Sequence, residues 1–378
     1  MPRPAAAASA ERAAGVVPPG EPLDDDAARG AASRGGDVPH APPPPRSARS
    51  RRNARLRALG LLLVGLVLLG LLLVHADPDA VWAELRSLGW AAPLVLVPYV
   101  VIAVFDTLAW RRTLRREDRR RAGFASLYLI RMAGEAVNSV TPTAAVGGEP
   151  VKAWMLRAHG IPTAEGMASV VIAKTALVAA QSLFTAIGVA AFLEWLGRTQ
   201  LAAAWMALLA LAVVGFTVAL IAVQKRSPAA MLWRWAHRVF PRAHLVARLE
   251  SHAETLDRRL VDFYRMEQHG FFQASGCNFI AWLLGVVETQ VMLTLLGHPI
   301  PWLDALIIET LAQPIRAAAI VVPGAVGTQE IGGVWLCTYL GIPESLAVTL
   351  WILKRAREVA FDGVGLAYLS VARKRRAS

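Results

Sequence analysis

Apolar residues and charged residues occupy separate stretches of this chain. The runs LGLLLVGLVLLGLLLV (59–74) and LAAAWMALLALAVVGFTVALIAV (201–223) approach or exceed the roughly 20 residues that a helix needs to cross about 30 Å of hydrocarbon. A helix in a soluble core would carry a polar face, and these runs contain no charged residue. Because 55% of the residues are hydrophobic while the formal net charge is +12, the sequence predicts an all-α polytopic membrane protein.

The arginine blocks predict the orientation of the chain. Arginines are frequent just before the first apolar run, and the segment RRTLRREDRRR (111–121) follows the second run at 94–110. Since cytoplasmic flanks carry excess Lys and Arg, both flanks and the basic tail at 373–378 are expected in the cytoplasm. Residues 1–55, rich in Pro, Ala and Arg, are predicted to be a disordered cytoplasmic tail. Aromatic residues are not regularly interleaved with the arginines, so no nucleic-acid partner is expected.

The apolar stretches that follow 94–110 complete a predicted transmembrane domain over 56–372. They cover residues 166–193, 202–223, 272–296, 303–322, 331–353 and 356–372. Two cytoplasmic ends require an even number of crossings. The segments 124–141 and 303–322 carry several charges, each costing about 2.5 to 3.5 kcal/mol at a helix centre, and are therefore predicted to be re-entrant or buried. About six full crossings with re-entrant broken helices are expected, and eight is the competing count.

An ungapped internal match indicates a duplication. The segment PTAAVGGEPVKAWMLRAHGIP (142–162) aligns with PGAVGTQEIGGVWLCTYLGIP (323–343) at an offset of 181, and Pro, Ala, Glu, Trp and the closing Gly-Ile-Pro are identical. At the same offset Lys174 falls on Arg355. The predicted halves are 90–224 and 270–372, joined by a cytoplasmic amphipathic segment at 225–269. An odd number of spans between the copies would make the repeat inverted.

Broken helices of two such halves commonly form the substrate site of a transporter near the membrane midplane. Glu149 and Glu330 are the first candidates, because each follows a predicted helix break in a matching copy. Paired with Lys152, Arg131 or Arg316, a carboxylate could bind the amine of a lipid headgroup or carry a proton. The alternative is that each glutamate caps its own helix.

Polar residues, prolines and glycines around the two breaks make up the predicted substrate path. Its members are Arg131, Glu135, Asn138, Pro142, Glu149, Lys152, Glu309, Gln313, Arg316, Pro323, Gly324, Gly327, Gln329 and Glu330. A further group, Lys354, Arg355 and Glu358, is predicted to be an ion-pair cluster inside the bundle or a hinge at the membrane surface. The two cysteines lie apart in apolar stretches, and no metal or cofactor site is expected.

Three motifs resemble a known family. They are NSVTP (138–142) with GGE and Lys152, VPGAVGTQE (322–330), and KRARE (354–358). Together they are similar to the flippase-like transmembrane family related to the membrane domain of lysylphosphatidylglycerol synthases. The stretches around Glu288 and Glu309 further resemble the subgroup associated with hopanoid biosynthesis.

The resemblance implies a multi-pass protein of the bacterial inner membrane that moves a phospholipid, an aminoacylated lipid or a hopanoid-type lipid between leaflets. It implies membrane lipids as partners, together with proteins of envelope-lipid biosynthesis. The aminoacyl-transferring soluble domain of full-length synthases has no counterpart in the sequence, so enzyme activity of that kind is not expected. The alternative is an integral-membrane enzyme or accessory subunit of envelope-lipid biosynthesis.

Overall fold

The computed structural model describes residues 77–141, 147–197, 199–225, 255–265, 267–318 and 326–377, together with the single positions 67, 70 and 74. Helices account for nearly all of these residues, and no strand occurs among them. The α-helices are α1 (Pro78–Ser87), α2 (Val97–Thr113), α3 (Arg116–Arg121), α4 (Phe124–Val140), α5 (Glu149–Leu156), α6 (Thr163–Trp195), α7 (Thr199–Lys225), α8 (255–265), α9 (Gln268–Leu295), α10 (Trp302–Ala318), α11 (Thr328–Tyr339) and α12 (Glu344–Ala377). Short 3₁₀ helices, Gly89–Leu96 and Arg157–His159, precede α2 and follow α5.

Local sequence accounts for several helix ends. Asp77 caps α1, since its side chain accepts hydrogen bonds from the backbone of the first turn. Proline stands in the first turn of α1, α2 and α5, where its missing N–H is not needed. Gly160 and Gly341 adopt φ values of 72° and 85°, which an L side chain rarely adopts, and each turns the chain into a long helix.

The order of helices repeats at the offset found in the sequence. The long helix α6 begins at Thr163 and α12 begins at Glu344, 181 residues later. The short helices α5 and α11, the 17-residue helices α4 and α10, and the helices α2 and α9 occupy corresponding places before them. Each set of four therefore has the same succession of an apolar helix, a 17-residue helix, a short helix and a long closing helix.

The two sets of helices pack together through related contacts. Helix α2 packs along α9, its counterpart in the second set. Helix α4 packs on α12, and its counterpart α10 packs on α6. Because α4 corresponds to α10 and α12 corresponds to α6, the α4–α12 and α10–α6 contacts are equivalent in the repeat. The interface therefore has approximate two-fold symmetry.

Three described helices are long and apolar enough to cross a bilayer: Gly89–Thr113, Thr163–Trp195 and Gln268–Leu295. Large apolar side chains, including Trp90, Phe272 and Trp335, are exposed on the outside of the bundle. The chain is an all-α membrane protein, because apolar side chains on the outside and polar groups inside suit a lipid solvent.

The C-terminal region differs from its sequence-based prediction. The stretches 331–353 and 356–372 do not form two separate spans, since the chain breaks earlier, at 340–343, and then continues as α12. The hydropathy minimum at 354–358 lies within this continuous helix. The predicted tail at 1–55 and most of the amphipathic segment at 225–269 lie outside the described residues, although 255–265 is helical as expected.

Candidate functional site

A polar cavity of about 560 Å³ lies between the two sets of four helices. All eight helices contribute side chains to its wall, from α2, α4, α5 and α6 on one side and from α9 to α12 on the other. The lining includes seven acidic and seven basic residues, so their formal charges balance. A volume of this size is within the range typical of ligand sites.

The cavity brings together most of the residues selected from the sequence. The lining includes Arg131, Glu135, Asn138, Glu149, Lys152, Glu309, Gln313, Arg316, Gln329, Lys354, Arg355 and Glu358. Glu330 lies behind the wall and contacts Arg355, and Gly327 begins α11 with a φ of 79°. Pro142, Pro323 and Gly324 lie outside the described residues.

On the first side, four side chains of alternating charge form a chain of ion pairs. Lys152 Nζ lies 2.6 Å from Glu135 Oε1 and 3.1 Å from Glu149 Oε2. The other carboxylate oxygen of Glu149 lies 3.3 Å from Lys174 Nζ. This first chain, Glu135–Lys152–Glu149–Lys174, connects helices α4, α5 and α6.

Two glycines and an asparagine allow α5 to approach α4. A Cβ atom added to Gly134 would lie 2.3 Å from Lys152 Cε, and one added to Gly148 would lie 1.9 Å from the Gly134 carbonyl oxygen. Asn138 Oδ1 accepts a hydrogen bond of 2.7 Å from the Gly148 N–H, at the start of α5. Because Gly134 has no side chain, the Lys152 side chain can lie against its backbone and reach Glu135.

On the second side, a related chain of ion pairs connects α10, α11 and α12. Arg316 Nη2 donates to Glu358 Oε1 at 2.7 Å, and Arg355 Nη1 donates to the other oxygen, Oε2, at 2.9 Å. Arg355 Nε also donates to Glu330 Oε1 at 2.6 Å. This second chain is Arg316–Glu358–Arg355–Glu330, and Gln329 accepts a further hydrogen bond from Arg316.

These contacts decide between the predicted partners of the two glutamates. The predicted pairing of Glu149 with Lys152 occurs, but Arg131 pairs with Asp106 and Arg316 with Glu358. These two candidate partners of Glu149 or Glu330 therefore pair elsewhere. Each arginine contacts a carboxylate on a neighbouring helix, which is α2 for Arg131 and α12 for Arg316.

The capping alternative stays a prediction. Both glutamates lie in the first turn of their helices, after the N-cap residues Gly148 and Gly327, where a carboxylate interacts favourably with the helix dipole. Glu149 and Glu330 also contact cations on the long helices α6 and α12. The two glutamates lie 181 positions apart, and so do their partners Lys174 and Arg355, so the same carboxylate–cation pair occurs in both halves.

The cluster at Lys354–Glu358 belongs to the interior of the bundle. Lys354 Nζ lies 2.5 Å from Glu309 Oε2, which also accepts a hydrogen bond of 3.0 Å from Thr289. Arg357 Nε lies 2.9 Å from Glu288 Oε1. These buried charges are compensated by opposite charges on α9 and α10, which is the arrangement expected of an ion-pair cluster inside the bundle.

Several polar residues of the wall were not selected from the sequence. They include Asp106, Lys174, Gln181, Asn278, Glu288 and Asp362. Asp106 is the only charged residue of the apolar stretch 94–110, a signal that could have identified it. The carboxylate–cation pairing became visible only in the structure, because the partners lie 25 residues apart on different helices.

Within the described part of the chain, no group of three His, Cys, Asp or Glu side chains is placed to hold a metal ion. The carboxylates of the cavity are separated from one another by the cations that pair with them. The arrangement suits the binding of charged groups by ion pairs and hydrogen bonds.

The fold and the cavity define a class, an integral membrane protein with a charged chamber enclosed by two related sets of helices. The family described as "Lysylphosphatidylglycerol synthase TM region" matches residues 57–364, and the chain belongs to this family. The chain is also similar to a UPF0104 membrane protein of Methanothermobacter thermautotrophicus, with 25% identity over 311 residues that cover 78% of this chain and 89% of the relative. No solved structure matches the chain significantly.

Proposed function

We propose that the protein is a lipid flippase, in which a headgroup crosses the bilayer through the polar cavity while its acyl chains stay in the lipid. The cargo is a membrane lipid such as a phospholipid or an aminoacylated or hopanoid-type lipid, and the location is the inner membrane of a bacterium. Proteins of envelope-lipid biosynthesis are the expected suppliers of this cargo. Membership of the family is consistent with this proposal.

The observation that carries the proposal is the concentration of charge in the cavity wall. Fourteen charged residues line one chamber inside a bundle whose exterior is apolar. Each charge is unfavourable at membrane depth by about 2.5 to 3.5 kcal/mol before pairing. A fold that only needed stability would be served as well by apolar side chains of similar volume, because buried ion pairs contribute little net stability.

The position of the cavity also supports transport. The wall is shared between two related sets of helices, so a small movement of one set against the other would change which side of the chamber is open. The ion pairs that join short helices to long helices, Glu149 with Lys174 and Glu330 with Arg355, lie on both sides of that boundary. Pairs of this kind can exchange partners with a charged headgroup as it passes.

Transport is tested with the purified protein in vesicles that carry a fluorescent phospholipid. Dithionite bleaches only the outer leaflet, so protein-dependent bleaching of the inner pool reports movement between leaflets. The Glu149→Gln and Glu330→Gln variants are expected to lower that rate at least about tenfold, because each loses a charge-assisted contact with a cation that lines the cavity, Lys174 or Arg355. The matched control is Glu117→Gln, which removes an exposed carboxylate on α3 and is expected to leave the rate unchanged.

Unchanged transport by Glu149→Gln and Glu330→Gln would remove both residues from the mechanism. Bleaching no faster than in protein-free vesicles would contradict the flippase proposal itself. The same preparations, incubated with lipid in detergent and examined by mass spectrometry, test the enzyme alternative. New lipid products formed without a bilayer would favour an enzyme.

A further inference from the structure

One position in the duplicated helices carries opposite charges in the two halves. Glu135 on α4 and Arg316 on α10 lie 181 residues apart and are therefore counterparts in the repeat. Both line the cavity. The neighbouring pair of counterparts, Glu149 and Glu330, has kept the same charge in both halves. Of these two pairs of counterparts, the pair on the 17-residue helices therefore differs in the sign of its charge, and the pair on the short helices does not.

These two side chains are also more accessible than most of the charged wall. The side chain of Glu135 is 39% exposed and that of Arg316 is 46% exposed, whereas Lys354 and Arg357 are almost fully buried. Each pairs with an opposite charge that also lines the cavity, Glu135 with Lys152 and Arg316 with Glu358. The ion pairs orient the two groups, while their exposed surfaces remain accessible from the cavity.

The cavity therefore presents an accessible carboxylate and an accessible guanidinium from opposite sides of a chamber whose wall charges balance. The Lys174 ammonium, 39% exposed, lies on the same side as Glu135 and pairs with Glu149. A carboxylate is complementary to an ammonium group, and a guanidinium binds a phosphate through two parallel hydrogen bonds. A chamber of balanced charge has no overall preference for an anion or a cation. It is complementary to a molecule that carries both charges at separate points.

We propose that the cavity selects zwitterionic phospholipid headgroups of the phosphoethanolamine type, with Glu135 binding the amine and Arg316 binding the phosphate. This inference rests on the proposed flippase function and adds its substrate class and two specificity-determining residues. Lipids with a phosphate but no amine engage only Arg316. Neutral lipids such as uncharged triterpenoids form an ion pair with neither Glu135 nor Arg316.

The experiment compares two tracers in vesicles of equal phosphatidylcholine and phosphatidylglycerol content. One tracer is phosphatidylethanolamine and the other is phosphatidylglycerol, both labelled on the acyl chain so that the headgroup is unaltered. The protein is expected to move the ethanolamine tracer about tenfold faster than the glycerol tracer, the effect of one charge-assisted contact. The ratio of the two rates is the measured quantity.

The two variants affect this ratio differently. Glu135→Gln is expected to slow the ethanolamine tracer about tenfold and to leave the glycerol tracer almost unchanged, so the ratio falls towards one. Arg316→Gln is expected to slow both tracers by a similar factor, because both carry the phosphate, and to preserve the ratio. Glu135→Asp, which keeps the carboxylate, is expected to restore part of the preference.

The controls are Glu117→Gln and Arg116→Gln, which remove the same charges from exposed positions on α3. Each variant is first checked by its elution and thermal unfolding in detergent, so that only folded protein is compared. Equal rates for the two tracers in the unmodified protein would overturn the headgroup assignment and leave the flippase proposal intact. An equal slowing of both tracers by Glu135→Gln would also overturn it. If neither tracer moves faster than without protein, the proposed function fails and the headgroup assignment fails with it.

Discussion

The two halves of this protein connect their helices by similar chains of ion pairs, but the charges lie on different helices. In the first half Lys152 of α5 joins Glu135 to Glu149, and in the second half Glu358 of α12 joins Arg316 to Arg355. Both chains contain a carboxylate on a short helix paired with a cation on a long helix. The shared pair therefore belongs to the common architecture, and the connecting residue is where the halves have diverged.

Packing explains how the connecting residue could change. In each half the 17-residue helix and the short helix meet where a glycine of one helix faces a larger side chain of the other. In the first half the glycine is Gly134 on α4, and the Lys152 side chain of α5 lies over it. In the second half the counterpart of Gly134 is Ile315 on α10, and the glycine is Gly332 on α11, where an added Cβ would lie 2.5 Å from Ile315 Cγ2. With Ile315 in this place, the second chain takes its connecting charge from α12.

The largest expected effect separates the two cations of the shared pair. Arg355→Gln leaves Glu330, whose side chain is 1% exposed, without its cation, and is expected to lower the free energy of unfolding by about 3 kcal/mol. Lys174→Gln is expected to cost less than about 1 kcal/mol, since Lys174 is accessible and Glu149 keeps Lys152. Thermal unfolding of both variants in detergent measures the difference. Equal losses of stability would show that the two halves do not differ in this respect.

The next effect tests the glycine contact of the first half. Gly134→Ala places a methyl group where the Lys152 side chain lies and is expected to cost about 1 to 3 kcal/mol, with slower transport because Lys152 moves away from Glu135. Gly276→Ala is the control, since Gly276 lies in helix α9 with nothing near an added Cβ. That change is expected to be neutral or slightly stabilising. The same loss in both variants would point to the helix backbone and not to the Lys152 contact.

A smaller effect should be alike in the two halves. Gly160 and Gly341 occupy the same turn before the long helices, with φ values of 72° and 85° and open space around them. Replacement of either by alanine is expected to cost about 1 to 2 kcal/mol, because an L side chain is disfavoured in this conformation. Unfolding midpoints that fall by the same amount support a common architecture. A loss of stability in only one of the two variants would show that the two turns do not have equivalent roles.

The smallest effect concerns a contact described only in the first half. Asn138→Ala removes the hydrogen bond to the Gly148 N–H and is expected to cost about 1 kcal/mol, the typical value of a helix cap. Hydrogen exchange at the start of α5 should become faster while exchange in α11 stays the same. Unchanged exchange in α5 would mean that another group holds this helix end.

The sequence predicted the helical membrane class and many of the residues that line the cavity. Hydropathy identified the spans because long uncharged runs have few alternatives to a bilayer. Glu149 and Glu330 were found because an intramembrane carboxylate is unusual and because the two match at a fixed offset. In each case the signal is local along the chain.

What the sequence could not predict depends on packing between distant helices. Arg131 was one of three candidate partners for the glutamates and pairs with Asp106, and this pairing follows from how α4 packs beside α2. The continuity of α12 was missed because the charges at 354–358 resemble the polar end of a span. Their partners, Glu288 and Glu309, lie on α9 and α10, and only the three-dimensional arrangement shows that these charges are compensated inside the bundle.

The central claim, that a lipid headgroup occupies the cavity between the halves, is tested most directly by photo-crosslinking. Phosphatidylethanolamine with a photoreactive group on its headgroup is reconstituted with the protein, irradiated, and the labelled residues are mapped by mass spectrometry. We predict labels at cavity positions such as Gln181 and Asn278, and weaker labelling there in Glu135→Gln. Labels confined to exposed outer positions such as Phe272 and Trp335 would contradict the claim.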